Sequence, residues 1–182
     1  MFSVGVGVKR FAIIQSLGSL TWDISLPFLI LYATDFKGAD PITIGYMGTC
    51  LVLVSTLLAV PMGSLADRKG RKTAIFLQRP FYYGSLLLPV LAPRDAPWLL
   101  LLAMCMRGVQ ASGEVWQTMR MEMVPQEYRG RWIGFTSLTH NLVRMPVMLL
   151  GGYLYESVDP ALVFLIPIAV DALIRMPILA TI

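Results

Sequence analysis

The sequence predicts an all-α integral membrane protein of six transmembrane helices, and three observations carry that expectation. Only 14% of the 182 residues are charged while 56% are hydrophobic. Soluble domains carry about 25% charged residues, so this chain has too few to cover a surface facing water. The mean hydropathy is +0.66. The apolar residues are also gathered into long runs, the clearest being residues 41–66, which contain no Asp, Glu, Lys or Arg. A span takes about 20 apolar residues plus a short connector, so the 182 residues hold six spans as a single domain over 1–182. The same composition excludes a disordered chain. The pI is near 9.3, but the basic residues form short clusters between apolar runs. The expected partner is therefore the lipid bilayer, with no nucleic acid.

The spans are predicted at about 11–34, 42–65, 73–92, 98–121, 132–155 and 161–181. The first follows Lys9 and Arg10. It is too long for the apolar part of a signal peptide and lacks an A-x-A-like cleavage site, so it reads as a retained span. The connectors carry turn chemistry: Lys37-Gly38-Ala39-Asp40-Pro41, Pro93-Arg94-Asp95-Ala96-Pro97 and Asp159-Pro160. Orientation follows from the basic residues. Lys9, Arg10, Arg68, Lys69, Arg71, Lys72, Arg120, Arg129 and Arg131 fall on one side, and only Lys37 and Arg94 on the other. The richer side is the cytoplasm, which places both termini there and the protein in the cytoplasmic membrane. Cys50 and Cys105 lie inside spans and read as small packing residues, not as a disulfide framework. Asn141 stands outside any N-x-S/T context, so no glycosylation acceptor is present.

Ionisable groups inside spans cost about 2.5–3.5 kcal/mol each on insertion scales and are functional candidates by default. They are Asp23, Arg79, Arg107, Glu114, Arg144, Asp171 and Arg175. At 1.5 Å per residue, Asp23, Arg107, Arg144 and Asp171 fall near the midplane. Arg79 and Arg175 lie in the cytoplasmic third, within snorkelling reach of the interface. Arg107, Gln110, Glu114 and Gln117 follow i, i+3, i+7 and i+10, one face of a helix. The first span has a similar stripe of Gln15, Ser19, Trp22 and Asp23, and the fifth has Ser137, His140, Asn141 and Arg144. Three polar stripes imply either a polar cavity inside an apolar bundle or permanently paired charges that only specify packing. Asp171 and Arg175, at i, i+4, are expected to form a structural ion pair. Gly48, Ser55, Ala59 and Gly63 form a small-residue stripe on the second span, a surface suited to close helix packing in lipid.

Residues 63–72 read Gly63-Ser64-Leu65-Ala66-Asp67-Arg68-Lys69-Gly70-Arg71-Lys72. Physically this is a tight hairpin with a glycine at its turn and four cations facing an anionic leaflet. Its order resembles the G-x-L-a-D-r-x-G-r-k signature between the second and third helices of the major facilitator superfamily. Arg107-Gly108-Val109-Gln110-Ala111-Ser112-Gly113 resembles that family's R-x-x-q-G-x-g pattern, with its last glycines displaced. Pro125-Gln126-Glu127-Tyr128-Arg129-Gly130 resembles the P-e-x-R-G loop before the fifth helix. The fifth span departs from the antiporter signature g-P-x-x-G-G: four residues separate Pro146 from Gly151-Gly152, which leaves drug/proton antiport unsupported.

The resemblance implies a six-helix half bundle, itself a 3+3 inverted repeat, whereas family members usually have twelve helices. It implies a secondary transporter for a small polar or charged solute, working by alternating access. Asp23, Arg107, Gln110, Glu114, Gln117, His140, Asn141 and Arg144 would then line a proton-coupled cavity, with Asp23 the coupling residue. Gly63, Asp67, Arg68, Gly70 and Arg71 would form a conformational-switch loop, with Asp67 tied to the other half bundle. The second half is expected to be another copy of this chain in a homodimer, with the small-residue stripe at its seam, since the chain starts at Met and ends with the sixth span. The alternatives are one half of a twelve-helix transporter and a non-transporting membrane subunit with this fold. No H-E-x-x-H, P-loop or nucleophile-plus-base arrangement is present, so no enzyme, cofactor or metal site is expected.

Overall fold

A computed structural model describes residue 18 and residues 24–94, 96–115, 118 and 126–180. Among these residues every regular element is helical, which is the predicted class. We label them α1 (Ile24–Asp35), α2 (Pro41–Lys69), α3 (Arg71–Leu91), α4 (Pro97–Ala111), α5 (Arg129–Ser157) and α6 (Leu162–Ala180). Short 3-10 turns lie at Ser112–Glu114 and Gln126–Tyr128. Two of the described helices, α2 and α6, are long and apolar enough to cross a bilayer; α1 and α4 are shorter apolar helices. Polar residues dilute α3 (Gln78, Arg79) and α5 (His140, Asn141, Arg144). The chain divides into two compact units, Leu29–Met119 and Met1–Phe28 with Arg120–Ile182.

In the first unit, α2 opens on Asp40, whose carboxylate accepts the Thr43 N–H at 3.0 Å. Pro41 follows in the first helical turn, where its missing N–H costs nothing and its fixed φ suits the helix. The Thr43 hydrogen bonds hold the Asp40 carboxyl below its ordinary pKa. At 29 residues, α2 is about 44 Å long, more than a hydrocarbon core of about 30 Å requires. It ends with Arg68 and Lys69 in its last turn, where cations complement the helix dipole. Gly70 alone separates α2 from α3, at φ 89° and ψ 148°, a conformation nearly restricted to glycine.

The face of α3 formed by Ala74, Ile75, Gln78, Arg79, Tyr82, Ser85, Leu86 and Pro89 is buried, and α4 packs against both α2 and α3. Gly108 lets α4 approach α2: a Cβ there would lie 2.8 Å from the Leu51 carbonyl oxygen and 2.8 Å from Val54 Cβ. The Ser55 nitrogen would be 3.2 Å away. Ser55 therefore sits at a contact within this unit, whereas Gly48 and Gly63 of the same small-residue stripe have open space where a side chain would stand. At the far end the Lys37 ammonium donates to the Ala92 carbonyl and lies 5.3 Å from the Tyr32 ring centroid. Burial, and then the charge of Arg94, push the Lys37 amine below its usual pKa. This contact ties the α1–α2 connector to the end of α3.

In the second unit, α5 packs on α6 and meets the start of α1. A Cβ at Gly151 would lie 2.7 Å from the Phe28 ring, and the Phe28 and Tyr155 rings stand 5.5 Å apart. Two helices depart from the predicted spans. The fourth span was expected as one helix over 98–121, but α4 ends at Ala111 and Gly113 takes φ +75°, which an L-residue side chain disfavours. The sixth is helical over the predicted stretch but widens to a π turn at Asp171–Arg175. There the Met176 N–H donates to the Asp171 carbonyl, five residues back. Pro177, the next residue, has no N–H to give, so the regular ladder is interrupted at this point.

Candidate functional site

Arg107 is the largest fully buried side chain among the described residues, with 0% of its surface exposed. It stands on α4 facing α3, within electrostatic reach of Tyr82. Burying a cation is expensive unless polar groups meet it, and Tyr82 acts on it electrostatically from α3. Gln78, Arg79, Tyr82 and Ser85 share its buried face, and the Arg79 guanidinium lies 5.5 Å from the Tyr82 ring centroid. Arg79 is 4% exposed and Arg175 8%. Both arginines are covered by protein here instead of extending toward the interface.

The break at the end of α4 is part of this seam. A helix leaves its last carbonyls without internal partners, and Gln78 meets them. Its Nε2 donates to the Ser112 carbonyl at 3.0 Å and to the Val109 carbonyl at 3.2 Å. The Ser112 hydroxyl adds a 2.6 Å bond to Val109 O. Gly113 then packs against Met62 and Gly63 of α2. Gln110, one turn after Arg107, is half-buried, and its Oε1 is buried without a hydrogen-bond partner among the described residues.

The remaining predicted residues fall in three places. Asp23 and Gln117 lie outside the described residues, and of Glu114 only the backbone is described, within the 3-10 turn. The expected run of Arg107, Gln110, Glu114 and Gln117 along one continuous helical face is interrupted at Gly113, so simple helix arithmetic stops at Gln110. His140 and Arg144 are half-buried on α5, and Asn141 is exposed. Asp171 and Arg175 form a buried ion pair, with Arg175 Nη1 donating to Asp171 Oδ1 at 3.0 Å. The Arg175 guanidinium rests on the backbone of Gly18, where a Cβ would fall 2.2 Å from its Cζ. In the hairpin, Arg71 pairs with Asp67 at 2.8 Å across the Gly70 turn, while the Asp67 side chain stays 66% exposed. Arg68 is exposed.

Sequence reading missed Gln78, Tyr82 and Ser112. Gln78, Tyr82 and Ser85 follow i, i+4 and i+7 on α3, the same periodic signal that marks α4. A search restricted to charges passes over it.

Described residues that are helical throughout their regular elements, two helices long and apolar enough to cross a bilayer, a glycine-turned basic hairpin and a fully buried arginine together fit a membrane protein. The family model for the Major Facilitator Superfamily matches residues 11–178, and the chain belongs to that family. It is 26% identical over 129 residues to a protein of Phoma sp. named MFS transporter L2. That alignment covers 70% of this chain and 21% of the relative, so the chain spans about a fifth of that protein's length. The family is one of transporters and not of enzymes, in keeping with the expectation of no catalytic centre.

Proposed function

We propose that this chain is one six-helix half of a secondary transporter. It pairs with a second copy, parallel in the cytoplasmic membrane with both termini in the cytoplasm, and rocks between inward- and outward-open states around a midplane cavity. Its cargo is a small polar or charged solute, moved with protons. The lining is Asp23, Arg107, Gln110, Glu114 and Gln117 with His140, Asn141 and Arg144, and Asp23 carries the coupling. Burial and a neighbouring arginine act on a carboxylate's proton affinity in opposite senses, so a rocking motion that changes Asp23's arginine neighbour takes up or releases a proton. Asp67, Arg68 and Arg71, around Gly63 and Gly70, form the loop that switches between the two states. The observation that supports the reading best is Arg107, a guanidinium held inside the fold of a transporter-family chain.

The test is transport in proteoliposomes under an imposed pH gradient. Asp23→Asn is expected to abolish the dependence on the gradient, and undiminished dependence overturns the coupling role. The mass of the detergent-extracted particle tests the pairing: two copies of 20.2 kDa make about 40 kDa of protein. A strict monomer favours a second reading, in which the chain supplies one half of a twelve-helix protein. The length of the relative, of which this chain spans about a fifth, supports that second reading.

A further inference from the structure

α2 meets α4 at Gly108, opposite Leu51, Val54 and Ser55, and meets the turn that follows α4 at Gly113, opposite Met62 and Gly63. The two contact points advance together in sequence, so the helices run in the same direction. At Gly108 the facing residues are offset by 53–57 positions (108 − 55 to 108 − 51). Cys105 lies three residues before Gly108, on the same face of α4. Cys50 lies just before Leu51 and one turn before Val54. Their offset of 55 (105 − 50) falls inside the same register, and the two thiols lie close enough to act on each other electrostatically. Both cysteines are half-buried and neither is in a disulfide.

The chain has 2 cysteines in all, and the interface brings them together. Among the described residues no third His, Cys, Asp or Glu joins them in a metal-binding cluster. Two sulfurs without further ligands do not suit zinc, which takes four ligands or three and a water. They suit a soft, thiophilic centre satisfied by two sulfur bonds. Pro41 and Pro97 open the two helices, and the thiols stand about 12–14 Å along them, inside the apolar stretch. A ligand that reaches them is therefore uncharged and membrane-permeant.

We propose that Cys50 and Cys105 form a dithiol site that takes a trivalent arsenical, or a like soft thiophile, as a bridge between α2 and α4. With phenylarsine oxide two S–H bonds break and two As–S bonds form. The arsenic-bound oxygen leaves with both protons as water, and no electrons change hands.

The experiment treats the full chain in detergent or liposomes with phenylarsine oxide, removes excess reagent, denatures, and counts maleimide-reactive thiols by intact mass. Reactive thiols are expected to fall from two to none, with one phenylarsenic bound per chain. The dithiol 2,3-dimercaptopropanol restores both thiols, whereas an equal thiol concentration of 2-mercaptoethanol does not. In Cys50→Ser and Cys105→Ser, or the corresponding Ala variants, the remaining thiol is released by the monothiol as easily as by the dithiol. Retention of both thiols in the wild type overturns the proposal. So does binding of two arsenicals per chain, equal reversal by either reagent, or a bridge that links two chains on a non-reducing gel.

Discussion

Arg107 on α4 has no exposed surface; Arg144 on α5 is half-buried, with exposed Asn141 three positions before it. Both helices carry polar residues at helical spacing, and the sequence presents them as equivalent stripes. The difference lies in what lies against each. On α4, Gly108 admits the backbone of α2, and α3 packs on the same helix with Tyr82 in electrostatic reach of the arginine. On α5, Gly130, Gly134 and Gly152 have open space where a side chain would stand. Phe135, Leu138, Leu142, Met145 and Leu149, spaced by three and four residues, are all exposed. A polar stripe reports that a face is not suited to lipid; small residues on the neighbouring positions decide whether protein reaches it.

The widest separation between the two helices is expected on removing each arginine. Arg107→Ala deletes the largest fully buried side chain and leaves a cavity beside Tyr82. We expect a loss of about 3–5 kcal/mol, as for other large buried side chains. Arg144→Ala removes a partly exposed side chain and is expected to cost about 1 kcal/mol or less. Thermal unfolding in one detergent compares them directly. Equal losses would mean that α5 is as firmly enclosed as α4, and the contrast would fail.

A smaller effect of the same origin is expected at the glycines. Gly108→Ala places a methyl 2.8 Å from the backbone oxygen of Leu51. Neither that carbonyl nor Val54 Cβ can swing aside, so the helices must part, at about 1–3 kcal/mol. Gly134→Ala meets nothing within 4 Å and removes a flexible residue from a helix interior, a gain of about 0.5–1 kcal/mol. Opposite signs in the two thermal shifts sharpen the comparison, and a Gly108→Ala protein as stable as wild type breaks it.

The contrast also marks what the sequence makes legible. The start of α2 is written in Asp40-Pro41, and its course in the uncharged residues 41–66. The hairpin turn is written in Gly70, and the spacing of Asp171 and Arg175 places two charges one turn apart. Periodicity carries all of these because each depends on neighbours in sequence. The end of α4 does not. Ser112-Gly113 is a possible turn in any context, and only the packing of Gly113 on Met62 and the reach of Gln78 from α3 fix the break there. Extending the stripe from Arg107 to Glu114 assumes an unbroken helix, and the backbone at Gly113 breaks it. The π turn in α6 is hidden likewise, since Pro177 shows where a bond is lost but not how the ladder closes around it.

The smallest expected effect concerns the one helix start in this comparison that rests on a side chain. Asp40 caps α2 by accepting the Thr43 N–H, whereas α3 and α4 begin with no side-chain cap. The Thr43 bonds lower the Asp40 pKa below the ordinary 3.8, so in mild acid the folded cap binds fewer protons than the unfolded chain. Its contribution is therefore complete above the unfolded value and disappears as pH falls through the lower, folded one. Asp40→Ala removes it at every pH. Hydrogen exchange at the first amides of α2 is expected to be faster in Asp40→Ala than in wild type at neutral pH. The two should converge once the wild-type carboxylate is protonated, while the first turns of α3 and α4 remain unchanged. A difference that persists unaltered into strong acid would assign the effect to the loss of the side chain's bulk and not to its charge.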